Sequence, residues 1–232
     1  KDSGQVYIEH IRYSGFGNDT GIYEIKFIRS LRSIPHESYQ SGFKVETKYH
    51  ISTIELWLHS KDQVQFVKKL SLQYIKNGAV ELLQSVQIQS ENLSLPATSF
   101  NYYTGKENTP DQKIHLLKKI TLPFGGTKTL LYKPSTTYRP NGLHANTNLP
   151  FVIHTLHKLT SFDPIANESF TQTYSYEGGH YFYDPSNPFI KEYAGFHSVS
   201  ITDPYENLTK KFFHQSEYAP DNSQSALRGE FE

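Results

Sequence analysis

Twice in this chain a strand-like run breaks at Asp-Pro and resumes after Asn-x-Ser/Thr. The first instance is Asp163-Pro164-Ile165-Ala166-Asn167-Glu168-Ser169 and the second is Asp203-Pro204-Tyr205-Glu206-Asn207-Leu208-Thr209. Proline presets φ for a turn position, and Asp and Asn side chains bond nearby backbone groups. Aromatic residues follow each break, Phe170, Tyr174 and Tyr176 after the first, Phe212 and Phe213 after the second. Such residues pack well on a pleated face. This punctuation specifies antiparallel hairpins, and catalytic spacing is absent from it.

The rest of the chain reads the same way. Gln5–Tyr13 and Ile22–Ile28 form an expected strand pair across the turn-rich run Ser14–Thr20, and Arg29–Tyr39, with Pro35, reads as a polar connection. Phe43, Val45, Thr47 and Tyr49 alternate with Lys44, Glu46 and Lys48, the period of a half-buried strand. Ile54, Leu56 and Leu58 continue it with Trp57 opposite, and Lys61-Asp62 turns the chain. In Val64–Tyr74, Leu70, Leu72 and Tyr74 alternate, and Asn77-Gly78 signals a hairpin. Ala79–Gln89 is ambiguous. Val80, Leu83 and Gln87 suit a helix face, while Val86 and Ile88 alternate; its short length and strand neighbours favour strand. Beyond Thr98–Tyr103 a polar loop, Tyr103–Lys113, marks an internal boundary, and Lys133–Asn148 reads as a second polar connection. A strand–turn–strand unit recurs loosely at Leu117–Tyr132, Leu159–Tyr176 and Val199–Phe213. The expected fold is all-β, an antiparallel hairpin meander. Residues 1–105 form an N-terminal hairpin region, 106–215 a repeat region and 216–232 a polar tail or link.

Composition narrows the function classes. The hydrophobic share is 36% against a usual ~45–50%, while 17 Tyr and 15 Phe supply nearly all of a 14% aromatic share. That suits thin or wet-faced sheets more than a thick core. Twenty-three basic and 23 acidic residues balance, leaving no basic excess for nucleic acid or an anionic membrane surface. Cysteine is absent, which excludes disulfides and thiolate metal sites. Methionine is also absent and residue 1 is Lys, so the chain is expected to be a piece of something longer. No run approaches the ~18 apolar residues of a membrane-spanning helix, and no membrane insertion by this segment is expected.

Each candidate for chemistry has a plainer reading. His154 and His157 stand three apart, which on a regular strand points them to opposite faces, so no metal site is expected. His180, beside Gly179, reads as a turn residue. Asp163, Asp184 and Asp203 each precede proline. Paired carboxylates can hydrolyse glycosides, but Asp-Pro at a strand end is first a turn device. Gly125-Gly126 and Gly178-Gly179 lack a phosphate loop's context and read as turns. Asn18, Asn92, Asn167 and Asn207 match the glycosylation acceptor pattern, which in a bacterial chain marks polar turns. Tyr174, Tyr176, Tyr181 and Tyr183, with Phe182, offer an alternative function: a glycan-stacking platform on a carbohydrate-binding β module. No cofactor and no catalytic residue is expected.

A series of short motifs carries a resemblance. In order they are Ser41-Gly42-Phe43-Lys44-Val45-Glu46-Thr47, Leu95-Pro96-Ala97-Thr98-Ser99-Phe100-Asn101-Tyr102, Phe124-Gly125-Gly126-Thr127 and Tyr132-Lys133-Pro134-Ser135. Asn148-Leu149-Pro150-Phe151, Tyr174-Ser175-Tyr176-Glu177-Gly178-Gly179, Gly195-Phe196 and Phe213-His214-Gln215 complete it. The series resembles the B component of bacterial insecticidal toxin complexes, with the related plasmid-virulence B-type and Rhs/YD-repeat proteins. The tyrosine-aspartate repeat is degenerate, with Glu177 after Tyr176 and His214 after Phe213. The resemblance implies a secreted virulence protein and a structural segment of a hollow β-sheet shell. Its partners would be the rest of that shell, an enclosed toxic polypeptide and a pore-forming delivery component. The family's β-propeller, self-cleaving site and toxic domain would lie outside this piece. Residues expected to matter are those that turn or pack: Gly42, Gly125, Gly126, Pro150, Phe151, Gly178, Gly179, Gly195 and Phe196.

Overall fold

A computed structural model describes residues 5–18, 20–39, 41–60, 63–105, 113–139, 142–183, 186–187 and 191–215. Lys61-Asp62, Asp184, most of the polar loop at 106–112 and the tail from Ser216 lie outside the described residues.

The strands are β1 (His10–Tyr13), β2 (Tyr23–Ser38), β3 (Val45–His59), β4 (Val64–Asn77), β5 (Val80–Gln89), β6 (Thr98–Tyr102), β7 (Leu117–Thr121), β8 (Thr127–Pro134), β9 (His154–Asp163), β10 (Glu168–Tyr183), β11 (Lys191–Thr202) and β12 (Leu208–Phe212). Their order in the sheet is their order in the chain, as in a meander. The expected all-β fold is therefore present. Two compact units divide it: the first holds β1–β5 with most of β6, the second β8–β12, and the division passes through β7.

In the first unit, bulges explain what alternation alone left inconsistent. Val45, Thr47 and Tyr49 are odd-numbered, whereas Ile54, Leu56 and Leu58 are even. Ile28 pairs with Thr53 and Arg29 with Ile51, so Ser52 is an extra residue in β3. A bulge shifts the phase by one and returns both sets to one face. Register then sets Tyr23, Ile25, Phe27 and Leu31 opposite Leu58, Leu56, Ile54 and Tyr49. The other face carries Glu24, Lys26, Ser30, His50, Glu55 and Trp57. In β5, Gln73 pairs with Ser85 and Tyr74 with Leu83, which leaves Gln84 as the extra residue. The helix-like spacing of Ala79–Gln89 is thus a bulged strand, as its neighbours imply. Asn77 pairs with Val80 across a two-residue turn, with Gly78 at φ +63°.

One expected connection proves to be strand. Arg29–Tyr39 is not a polar link, because β2 continues to Ser38. Proline cannot donate to a ladder, and the register breaks between Leu31 and His36, where Pro35 sits. The bulge absorbs the proline and the strand resumes.

In the second unit both Asp-Pro sequences form hairpin turns. Asp163 Oδ1 accepts from the backbone N–H of Ile165 (2.8 Å) and Ala166 (3.4 Å), with Asn167 at φ +54°. Asp203 Oδ1 accepts from Tyr205 and Asn207 N–H, both at 2.8 Å, and its Oδ2 accepts from the Asn207 amide at 2.9 Å. These bonds, the Asn207 amide first, hold the Asp203 carboxyl below its ordinary range.

Candidate functional site

The most tightly built place in the second unit is the chain between β8 and β9. Its polarity suggested a solvated connection. Instead it docks on the sheet, because its polar groups find backbone partners there. Asn146 is buried, and its Nδ2 donates to Ser135 O (2.9 Å) and Tyr176 O (3.0 Å), while its Oδ1 accepts from Gly179 N–H (2.8 Å). Ser135 N–H donates to Ile153 O at 2.7 Å, and Ile153 N–H donates to Ser135 Oγ at 3.2 Å. Thr155 donates to Lys133 O (3.2 Å) and accepts from the Tyr138 hydroxyl (2.8 Å). Ser135, Tyr138, Asn146, Thr155 and Gly179 are all buried, and the remaining partners, Lys133, Ile153 and Tyr176, contribute backbone groups. Tyr138 and Asn146 carried no signal in the sequence, since their partners, the Thr155 hydroxyl for Tyr138 and backbone groups of Ser135, Tyr176 and Gly179 for Asn146, are distant in the chain.

Part of the motif series meets at this lock: Leu149, Gly178, Gly179 and Phe196. Gly178 and Gly179 are not a turn but lie inside β10, and His180 follows them in the same strand. A Cβ on Gly179 would stand 2.5 Å from Leu149 Cδ1 and 3.0 Å from Phe196 Cε1. A Cβ on Gly178, at φ +68°, would stand 2.7 Å from His197 Cβ. Gly179 pairs with Phe196 and Tyr181 with Tyr193, so the two residues Ala194-Gly195 of β11 stand against the single residue His180, and Gly195 takes φ +78°. Gln215 Nε2 donates to Gly195 O at 2.8 Å. Phe151, just after Pro150, makes edge contacts with the rings of Tyr181 and Tyr193. Gly42 (φ +80°) closes a turn before β3, and Gly125 (φ +87°) with Gly126 lies in the turn between β7 and β8.

The tyrosines do not form a stacking platform. Tyr176 meets Tyr138 at 64° and Phe196 at 55°, and Tyr181 meets Phe151 at 83°. These are edge and tilted contacts within the packing, whereas a glycan platform needs open, coplanar rings. Burial, with the neighbouring tyrosines, pushes the Tyr176 hydroxyl well above its ordinary range. Tyr183 is exposed and Tyr174 Oη donates to Gln172 Oε1 at 3.1 Å. The carbohydrate-module alternative is not supported.

His157 is the extra residue of a bulge, because Leu131 pairs with Lys158 and Tyr132 with Leu156. The strict alternation assumed between His154 and His157 therefore does not apply. His157 Nδ1–H donates to Tyr174 O at 3.1 Å, and burial lowers its pKa. Among the described residues no three His, Asp or Glu side chains group as metal ligands.

The first unit holds two buried carboxylates that sequence reasoning missed. Glu24 accepts from His59 Nε2 at 2.7 Å, with Arg12 at 3.5 Å and Lys26 at 3.6 Å. Glu81 binds Ser33 through its N–H (3.0 Å) and Oγ (2.8 Å), with Arg32 at 3.6 Å and His50 Nδ1 at 2.8 Å. Burial raises both carboxyls, but for Glu24 the His59 bond, and for Glu81 the Ser33 bonds, prevail and hold the net pKa low. Glu81 lies on β5 and Ser33 on β2, so this carboxylate ties together strands that are not neighbours in the sheet order.

The family model for the insecticide toxin TcdB middle/N-terminal region matches residues 66–220, about two thirds of the chain. No curated protein matches it. Among the described residues no helix is long and apolar enough to cross a membrane. The match takes in the docked β8–β9 loop, both Asp-Pro hairpins and every motif glycine except Gly42.

Proposed function

The chain belongs to the insecticide toxin TcdB middle/N-terminal family, and from that premise we propose that it is a wall segment of a toxin-enclosing β-shell. In this reading it is a structural part of a secreted bacterial toxin complex. Its partners are the remainder of the shell, an enclosed toxic polypeptide and a pore-forming delivery component. The family match is the observation that carries the reading.

Two features of the molecule support it. The strands follow one another as a meander, the arrangement that extends a sheet hairpin by hairpin. Among the described residues, the buried apolar side chains are Tyr103, Tyr138 and Ala194. A wall one sheet thick buries little apolar surface of its own, whereas a sandwich of this length buries two facing layers.

Cryo-electron microscopy of the intact protein tests the proposal. A hollow particle with β2–β12 in its wall is the expected result. A solid particle in which this segment forms a closed domain on the surface would overturn it.

A further inference from the structure

On the charged face of the first unit, three side chains from three strands form a relay. Ser30 on β2 and His50 on β3 are direct cross-strand partners, and Ser30 Oγ lies 2.7 Å from His50 Nε2. The other ring nitrogen, Nδ1, lies 2.8 Å from Glu81 Oε2 on β5. The His50 and Glu81 side chains are 11% and 5% exposed, and Ser30 is half-buried. Glu81 is held as the anion by Ser33 and Arg32. A carboxylate can only accept, so the Nδ1 proton points at it and the Nε2 lone pair faces the Ser30 hydroxyl. Tyr74 stacks on the imidazole, with centroids 3.9 Å apart and planes at 22°, and fixes the ring from the side.

We propose that Ser30 is an activated nucleophile that accepts acyl groups from small carboxylic esters. The arrangement supplies two of the things such a serine needs: a base within hydrogen-bond reach of the hydroxyl and an acid that sets the tautomer of the base. Ser30 Oγ attacks the ester carbonyl carbon as its proton passes to His50 Nε2. The tetrahedral intermediate collapses, the C–O bond to the alcohol breaks, and the alcohol leaves with the proton from Nε2. Water then attacks the acyl carbon as its proton passes to His50 Nε2, the bond to Ser30 Oγ breaks, Nε2 returns the proton to Oγ, and the acid leaves. Glu81 is a positioning residue, since it touches the imidazole and not the ester. Ser30 is half-buried on β2, which restricts the acyl group to a small one. The proposal does not rest on the shell reading: Ser30 and His50 lie N-terminal to the family match, and Glu81 lies within it.

The test is reaction of the intact protein with a small alkyl fluorophosphonate, which phosphonylates activated serines, followed by peptide mass mapping. The expected result is a modified Ser30 peptide that is absent in Ser30→Ala and forms at least ~100-fold more slowly in His50→Gln. An unmodified Ser30 in the wild-type protein overturns the proposal, as does wild-type labelling in a His50→Gln variant with native circular dichroism. Should His50→Gln fail to fold, Glu81→Gln, which leaves the side-chain size unchanged, takes its place. Slower labelling of Ser30 in that variant supports the relay, and labelling at the wild-type rate with native circular dichroism overturns it.

Discussion

Gly178 and Gly179 are neighbours in β10 but are required for different reasons. Gly179 leaves the space that Leu149 and Phe196 fill, while Gly178 combines a left-handed φ with close approach to His197. Gly179→Ala is expected to destabilise by about 1–3 kcal/mol through overpacking, read as a drop in urea midpoint. Gly195 has nothing within 4 Å of its virtual Cβ, so only its φ of +78° opposes a side chain. Gly195→Ala should therefore cost no more than about 1–2 kcal/mol. A loss at Gly195 as large as that at Gly179 would contradict this division. Asn146→Ala removes three hydrogen bonds from a buried site, and a loss on the order of 2–3 kcal/mol is expected by the same measurement. The carboxylates set the pH response. Glu24 and Glu81 have folded pKa values below the ordinary 4.5. Their stabilisation is present above that value and is lost as pH falls through the folded values. The urea midpoint should accordingly fall below about pH 4.5, and fall less steeply in Glu81→Gln.

At the scale of elements, bulges decide which face each side chain occupies. Ser52 is the extra residue that brings Val45–Ile51 and Ile54–Leu58 into phase. Deleting it turns one of the two sets to the charged face, since a one-residue slip inverts every side chain beyond it. The expected outcome is loss of soluble folded protein, whereas Ser52→Ala, which keeps the residue count, should leave the fold intact. A soluble Ser52 deletion with native circular dichroism would show that the bulge does not set the phase. Much at this scale was legible. The Asp-Pro turns and Asn77-Gly78 were read from residues whose effect is local. The length of β2, the docking of Lys133–Asn148 and the strand position of Gly178-Gly179 were not, because each depends on a partner strand or loop that local chemistry does not name.

For the whole molecule, the balance of buried groups is the informative fact. Buried polar residues, among them Glu24, Ser85, Ser135, Asn146, Thr155 and Ser198, outnumber buried apolar ones in the described residues. Leu31, Phe43, Val64, Leu93 and Leu208 remain exposed, and β1 and β12 end the strand order. Unpaired edges and open apolar faces invite pairing with another copy. Expressed alone, the chain is expected to associate with itself in a concentration-dependent way in sedimentation velocity. A monomer at high concentration would argue against a segment that needs neighbours.

Residue order alone determined that this chain makes antiparallel hairpins, where the Asp-Pro turns fall and which family it resembles, because turns and alternation act over a few bonds. Tertiary structure decided the rest. Where an extra residue enters a strand depends on what lies across the ladder, and a polar residue such as Asn146 or Glu81 is buried only if distant backbone and side-chain partners compensate its lost water. The meeting of Ser30, His50 and Glu81, from three strands, is written in no local pattern and exists only once β2, β3 and β5 are brought together.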